Sequence, residues 1–296
     1  MKRKKAGNLI LKIYEALKKS ISILKKAGIE SAILDSQLLL SKAIKKDKLY
    51  VMVNRNEQID DSKLKEFVKM VEIRSKHMPV KYILGHSEFM GIDFNIRQGV
   101  LIPRPDTEIL AEDALKEIDK NSYKIICDVC TGSGAIGMSI ASLNKNVTCD
   151  CLDISKDALD IARENLIKLG ISEKVKVMKS DLLEVPISNG KKYDVVISNP
   201  PYIEKSEIGK LDDSVKKYEP YIALCGGDDG LDFYRNITMQ SLKVLNNNGM
   251  LIYEIGYNQK DDVINIMKDA GFSEISFLKD LSGNDRVVKG KYAFYN

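Results

Sequence analysis

From residue 124 onward, short apolar runs of strand length alternate with segments of helical periodicity. Strands are expected near 124–130, 147–154, 174–179, 193–198, 249–255, 275–279 and 286–293, with helices near 135–143, 156–169, 231–245 and 259–270. Parallel neighbours need long crossovers, and these helices supply them. The pattern therefore predicts one mostly parallel sheet covered on both faces, an α/β doubly wound fold with seven strands. Ser282-Gly283-Asn284-Asp285 is too short for a crossover, so the last two strands form an antiparallel C-terminal hairpin.

A different pattern precedes the sheet. Leu9, Ile13, Leu17, Ile21 and Leu24 recur at helical spacing over 8–27, with Gly28 as a stop. The pattern repeats over 33–44 and again through Leu64, Phe67, Val68 and Val71, until Met78-Pro79 ends it. Residues 1–80 are expected to form a small helical domain, 81–102 a β-hairpin linker with Gly85, Gly91 and Gly99, and 103–296 the α/β domain. Asp106 is the expected N-cap of the helix that opens this last domain.

Charge is unevenly spread. Residues 1–85 hold 20 basic and 9 acidic residues, leaving 26 and 33 for the remainder. No aromatic residues are interleaved with the N-terminal lysines, so direct nucleic-acid binding is not expected. The basic start, Met1-Lys2-Arg3-Lys4-Lys5, is not followed by an uninterrupted apolar stretch or a cleavage site, and no run reaches the roughly 18 residues of a membrane span. A cytoplasmic protein with reduced thiols is expected. Cys127, Cys130, Cys149 and Cys151 can be drawn as a zinc site, but they lie in or beside apolar strand runs and read better as small buried hydrophobes, with no metal. Only His77 and His86 are present, which argues against histidine-dependent triads.

Asp128-Val129-Cys130-Thr131-Gly132-Ser133-Gly134 follows the first strand of the sheet, and Gly132, Gly134 and Gly137 satisfy G-x-G-x-x-G. Such a loop brings backbone close to a ligand and aims helix N–H groups at it. Asp153 ends the second strand, where a carboxylate accepts from ribose hydroxyls. Asp181 ends the third, placed to accept from an adenine amine while Leu182 packs on the ring. Together they form a Rossmann-like nucleoside pocket that does not distinguish NAD from S-adenosylmethionine.

Asn199-Pro200-Pro201-Tyr202 distinguishes them. Pro200 pushes Asn199 into an extended conformation, freeing carbonyl acceptors. The Asn199 side-chain oxygen is one more acceptor, and Tyr202 is a stacking face. This is a holder for an amine on a planar π system, suited to an acceptor beside a methyl donor.

These two motifs resemble those of the amino-directed class I methyltransferases, and the chain is similar over nearly its whole length to the peptide chain release factor glutamine methyltransferases. Ile102-Pro103-Arg104-Pro105-Asp106-Thr107-Glu108, Glu219-Pro220 with Ala223-Leu224, and Gly283-Asn284-Asp285-Arg286-Val287 carry the closer resemblance. It implies an enzyme that methylates the Gly-Gly-Gln glutamine of class I release factors, with S-adenosylmethionine as cofactor and S-adenosylhomocysteine as product. It implies that Cys130, Thr131, Gly132, Ser133, Gly134, Asp153 and Leu182 contact the cofactor, beside Asp181 and Asn199. Asn199, Pro200, Pro201 and Tyr202 would hold the glutamine amide, with Asn199, Pro200 and Tyr202 as the catalytic set. Cys130 and Leu182 depart from the family, which often has glycine and a larger aromatic there. A monomer is expected, with residues 1–80 docking the substrate. The rival readings are a ribosomal-protein glutamine methyltransferase and a nucleic-acid amino methyltransferase; the acidic balance of the α/β part and the absence of an inserted basic domain argue against the latter.

Overall fold

The computed structural model describes residues 11–293. Met1–Lys5 and Leu9, which entered the sequence reading, lie outside them. The chain divides into two compact units, residues up to Gly85 together with Asp213–Tyr218, and the remainder.

The first unit contains β1 (Leu11–Lys12), α1 (Ile13–Lys26), α2 (Ala32–Ile44), α3 (Lys48–Val53), β2 (Gln58–Ile59), α4 (Asp61–Ser75) and α5 (Val80–Leu84). Glu15 accepts from the Lys12 N–H at 2.9 Å and starts α1. The apolar faces of α1, α2 and α4 meet through Leu17, Leu24, Leu39, Leu40, Phe67 and Val71. Lys18, Lys19, Lys25 and Lys26 stay exposed. The two short strands pair antiparallel and were not signalled by the sequence.

The second unit opens with the hairpin β3 (His86–Phe89) and β4 (Ile92–Asn95). The hairpin is shorter than the expected 81–102 because Val80, Ile83 and Leu84 keep helical spacing and pack into the first unit's core. A left-handed Gly85, φ +83°, then ends α5. A 3₁₀ turn over Pro105–Thr107 leads into α6 (Glu108–Asn121). Asp106 lies inside that turn and caps nothing: Pro105 at the first position tightens the entry, and Thr107 becomes the flanking residue.

β5 (Ile125–Val129), α7 (Ala135–Leu143), β6 (Thr148–Asp153), α8 (Lys156–Leu169), β7 (Val175–Lys179), α9 (Glu184–Ser188) and β8 (Tyr193–Ser198) follow. After α10 (Asp213–Lys216), which groups with the first unit, come α11 (Asp232–Ser241), β9 (Leu245–Glu254), α12 (Lys260–Asp269), β10 (Ser273–Lys279) and β11 (Asp285–Tyr292). The sheet order is β10-β11-β9-β8-β5-β6-β7. The pairs among β9, β8, β5, β6 and β7 are parallel; β11 is antiparallel to both β9 and β10. This is the doubly wound, seven-stranded fold with a C-terminal hairpin that the alternation predicted.

Alternate strand residues face opposite layers. Ile126, Val195, Ile197 and Ile252 enter one core, and Cys127, Val129, Val196 and Leu251 the other. Cys149 and Cys151 are buried in the first core with Sγ atoms 3.8 Å apart. β6 and β7 build outward on one side of β5, and β8 and β9 on the other. The strand order therefore reverses at β5 and opens a crevice at the carboxyl ends of β5 and β8.

Candidate active site

A cavity of about 200 Å³ occupies this crevice in the second unit. Cys130, Thr131, Gly132, Ser133, Asp153, Asp181, Leu182, Asn199 and Pro201 all line it. Gly134, Pro200 and Tyr202 are adjacent in sequence but are not among its walls.

The glycine loop has unusual backbone. Cys130, Gly132 and Gly134 have φ of +60°, +58° and +84°. This region suits glycine; a side chain there costs about 1 kcal/mol. Asp128 sets the loop from below, its Oδ2 accepting the Thr131 hydroxyl at 2.6 Å and the Gly137 N–H at 3.0 Å. Burial pushes Asp128 up to about 7 against these two donors. Gly137 is required for packing, since a Cβ there would stand 2.7 Å from Cys149 Sγ and 2.9 Å from Asp128 Cβ.

Asp153 holds the loop from the side. Its Oδ2 accepts from Gly132 N–H and its Oδ1 from Ser155 N–H, each at 2.9 Å. A carboxylate has about four acceptor sites, so Asp153 keeps capacity for a ligand hydroxyl beside its backbone donors. Burial raises its pKa, opposed by backbone N–H groups of Ser155, Gly132 and Ile154. Asp181 is exposed at the cavity, and Leu182 beside it has φ +46°. The left-handed loop, the unsaturated Asp153 and the Leu182 side chain together fit a ribonucleoside.

On the opposite wall, Asn199 Nδ2 donates to Thr107 Oγ1 at 3.3 Å. With the amino end held there, Oδ1 is the end left for a ligand. Thr107 is buried and comes from the Pro103–Glu108 run. Tyr202 turns its hydroxyl inward to Glu254 Oε1 at 3.5 Å. Burial, then the Glu254 charge, pushes Tyr202 up to about 12. Burial likewise pushes Glu254 up to about 7, opposed by Thr107, Arg286 and Tyr202.

Three sets of anchoring contacts in this wall escaped the sequence reading. Arg104 pairs with Glu219 at 2.6 Å, joining the run before α6 to the loop after Tyr202. Gln259 donates to the Tyr202 carbonyl at 2.9 Å while its Oε1 accepts from Gly256 N–H at 3.0 Å. Glu254 ends an otherwise apolar strand run, and that placement was the one signal available for it. Gly226 lets the two passes of this loop touch, because a Cβ there would lie 2.8 Å from the Pro201 carbonyl oxygen.

A family model described as the PrmC N-terminal domain matches residues 15–85, and one described as the methyltransferase small domain matches 106–213. The release factor glutamine methyltransferase of Clostridium acetobutylicum is 50% identical over 278 residues, covering 94% of this chain and 98% of that protein. The chain belongs to the release factor glutamine methyltransferase family. The Clostridium botulinum protein of the same name is 47% identical over 283 residues, 96% of this chain and 99% of that one. A more distant likeness, at 13% identity and TM-score 0.50, is to the Thermus thermophilus 16S rRNA N2 G1207 methyltransferase solved with AdoMet and guanosine. It covers 70% of this chain and 49% of that one, and shares the fold. Among the described residues no helix is long and apolar enough to cross a membrane.

Proposed function

We propose that this chain transfers a methyl group from S-adenosylmethionine to the side-chain amide nitrogen of the Gly-Gly-Gln glutamine in class I peptide chain release factors, tuning translation termination. The observation that supports this reading is that Asn199 lines the glycine-loop cavity while its Nδ2 donates to Thr107 Oγ1, which leaves Oδ1 as the end available to a ligand. Membership of the family agrees with it. The glycine loop, Asp153, Asp181 and Leu182 would hold the cofactor. When bound, S-adenosylmethionine supplies an electrophilic methyl on a sulfonium.

An amide nitrogen is a weak nucleophile because its lone pair is delocalised into the carbonyl. Asn199 Oδ1 and the Pro200 carbonyl accept its two N–H bonds, which orients the lone pair and stabilises positive charge growing on nitrogen. Pro200 and Pro201 are buried and keep these acceptors rigid. Tyr202 fixes the strand-end turn through Glu254 and Gln259. Transfer then depends chiefly on position.

Residues 1–80 would dock the release factor through the exposed face of α1, where Lys18, Lys19, Lys25 and Lys26 lie. The cytoplasm is the expected compartment, and a monomer suffices for every role assigned. Labelled S-adenosylmethionine offered with purified release factor, ribosomal proteins and DNA tests the reading. Label on the Gly-Gly-Gln glutamine, lost in its alanine variant, is the expected result. Label on a ribosomal protein, a lysine or a nucleobase instead would overturn it.

A further inference from the structure

Gln259 is 6% exposed and stands at the N-cap of α12, yet its side chain caps nothing there. Serine, threonine, aspartate and asparagine are the residues that serve a helix start. The Gln259 side chain turns instead to the loops beside the Asn199 wall. Its Oε1 accepts from the Gly256 N–H at 3.0 Å and from the Tyr234 hydroxyl at 3.4 Å. Its Nε2 donates to the Tyr202 carbonyl at 2.9 Å and to the Gly230 carbonyl at 3.3 Å. Both ends of the amide are used, and the donor end holds two carbonyls from different loops. Two glycines make room for it. A Cβ on Gly256 would stand 2.7 Å from Gln259 Oε1, and one on Gly230 would stand 2.7 Å from Nε2 and 2.5 Å from the Tyr202 carbonyl oxygen.

What this amide holds is the exit of the Asn199-Pro200-Pro201-Tyr202 run. At the entry, Ser198 is paired in the sheet with Val129 and Tyr253, and its Oγ donates to the Val129 carbonyl at 2.7 Å. Ring closure fixes φ at Pro200 and Pro201, and Pro200 keeps Asn199 extended. The Pro200 carbonyl still turns with the Pro200 ψ, and that angle is set only when both ends of the run are held. The loop beyond the exit is tied in as well. Ile203 N–H donates to the Leu224 carbonyl and Gly226 N–H to the Ile203 carbonyl, each at 2.9 Å. That loop lines the cavity through Pro220, Ile222 and Ala223, and its end at Gly230 meets Gln259.

We propose that Gln259 is a positioning residue for methyl transfer: its amide fixes the exit of the Asn199–Tyr202 run, so that the Asn199 and Pro200 acceptors meet the incoming glutamine amide at one angle. This rests on the function proposed above and names the residue that sets its acceptor geometry. Gln259 is not among the cavity walls, so it acts through the Tyr202 and Gly230 carbonyls. Its effect belongs to kcat. A misdirected Pro200 carbonyl leaves the glycine loop and the docking surfaces as they are, whereas an error of about 1 Å at the reacting atoms costs on the order of 10²-fold in rate.

The experiment compares two variants with wild type. Gln259→Glu keeps an oxygen for Gly256 and sets a second one against the two carbonyls in place of the donor. Gln259→Met keeps the length and removes both kinds of contact. Each should lower kcat about 10- to 100-fold, by the same factor for intact release factor and for a short Gly-Gly-Gln peptide, with KM for the intact protein within about threefold and S-adenosylhomocysteine affinity by calorimetry within about twofold. Amide hydrogen exchange should quicken about tenfold or more at Ile203 and Gly226 and stay unchanged in β8. An unchanged kcat in either variant, or unchanged exchange at Ile203 and Gly226, would overturn the proposal. So would a kcat loss matched by lost cofactor affinity or by faster exchange through β8, which would mark general loosening. A loss seen with intact release factor alone would also overturn it, by placing Gln259 in docking. A wild-type enzyme that labels no glutamine would instead sink the parent reading.

Discussion

Arg104 Nη2 lies 2.6 Å from Glu219 Oε1, and the Glu219 side chain is only 1% exposed. The Ile102 N–H reaches the other carboxylate oxygen at 3.4 Å. One buried acid thus ties the segment entering α6 to the loop that follows Tyr202. Arg104 and Pro220 both line the cavity, so the pair fixes part of its wall.

Removing Arg104 leaves Glu219 buried with a single weak donor. Arg104→Ala should cost about 2 kcal/mol or more by urea unfolding, because an unpaired buried charge is worse than no charge. Arg104→Ala with Glu219→Gln should recover part of that loss. Equal stabilities for the single and double variants would show that the pair is solvated and contributes little.

Cys130 has φ +60° in the glycine loop, with its side chain against the cavity. Cys130→Gly removes the left-handed penalty, about 1 kcal/mol, but adds unfolded-state entropy of about 0.5–1 kcal/mol. Stability should therefore change by less than about 1 kcal/mol while the cavity widens on that side. S-adenosylhomocysteine affinity should be retained within about threefold. A tenfold loss of affinity would show that the Cys130 side chain is a required contact.

The two walls of the cavity should fail differently. Asp153→Ala removes both loop anchors and the open acceptor sites, so calorimetry should show S-adenosylmethionine binding weakened at least tenfold. Asn199→Ala leaves the glycine loop intact. Cofactor affinity should hold while turnover drops by about 10²–10³, as expected for one preorganised contact that strengthens in the transition state. Near wild-type turnover in Asn199→Ala would remove it from the mechanism.

What was legible in the sequence was local. α7 and α8 begin and end where they were expected because glycines and a serine cap mark them: Gly134 starts α7, and Ser155 caps α8 before Gly170 stops it. The strand-end acids and Asn199 were legible because the sheet places every parallel strand's carboxyl end in one crevice. The contacts of Glu219, Glu254 and Gln259 were not. Each acts on a residue between 52 and 117 positions away. Only the strand order brings such partners together, and no periodicity records it. The Asp106 cap failed for a local reason: the Pro105 turn competes with it.

Asp128 gives the most direct test of how the site strains the fold. Its pKa in the folded protein is about 7, raised mainly by burial, against roughly 4 when unfolded. Between those values the folded state holds a proton that the unfolded state has lost. Stability therefore falls as pH rises from about 4 to 7, by up to ~1.4 kcal/mol per pH unit for this one group. Glu254, also raised to about 7, acts in the same direction. The carboxylates with lowered values, among them Asp93, Glu117 and Asp213, lose their stabilising effect only below about 4, so the two windows are separate. Asp128→Asn keeps one oxygen for Thr131 and Gly137 and cannot ionise. It buries an amino group where Oδ1 has no partner, a cost that does not vary with pH. Urea unfolding at a series of pH values should show wild type losing stability relative to Asp128→Asn from pH 4 to 7, with a constant difference above about 8. Parallel curves across that range would mean that Asp128 is ionised in the folded protein throughout, and that its buried Oδ1 is reached by water.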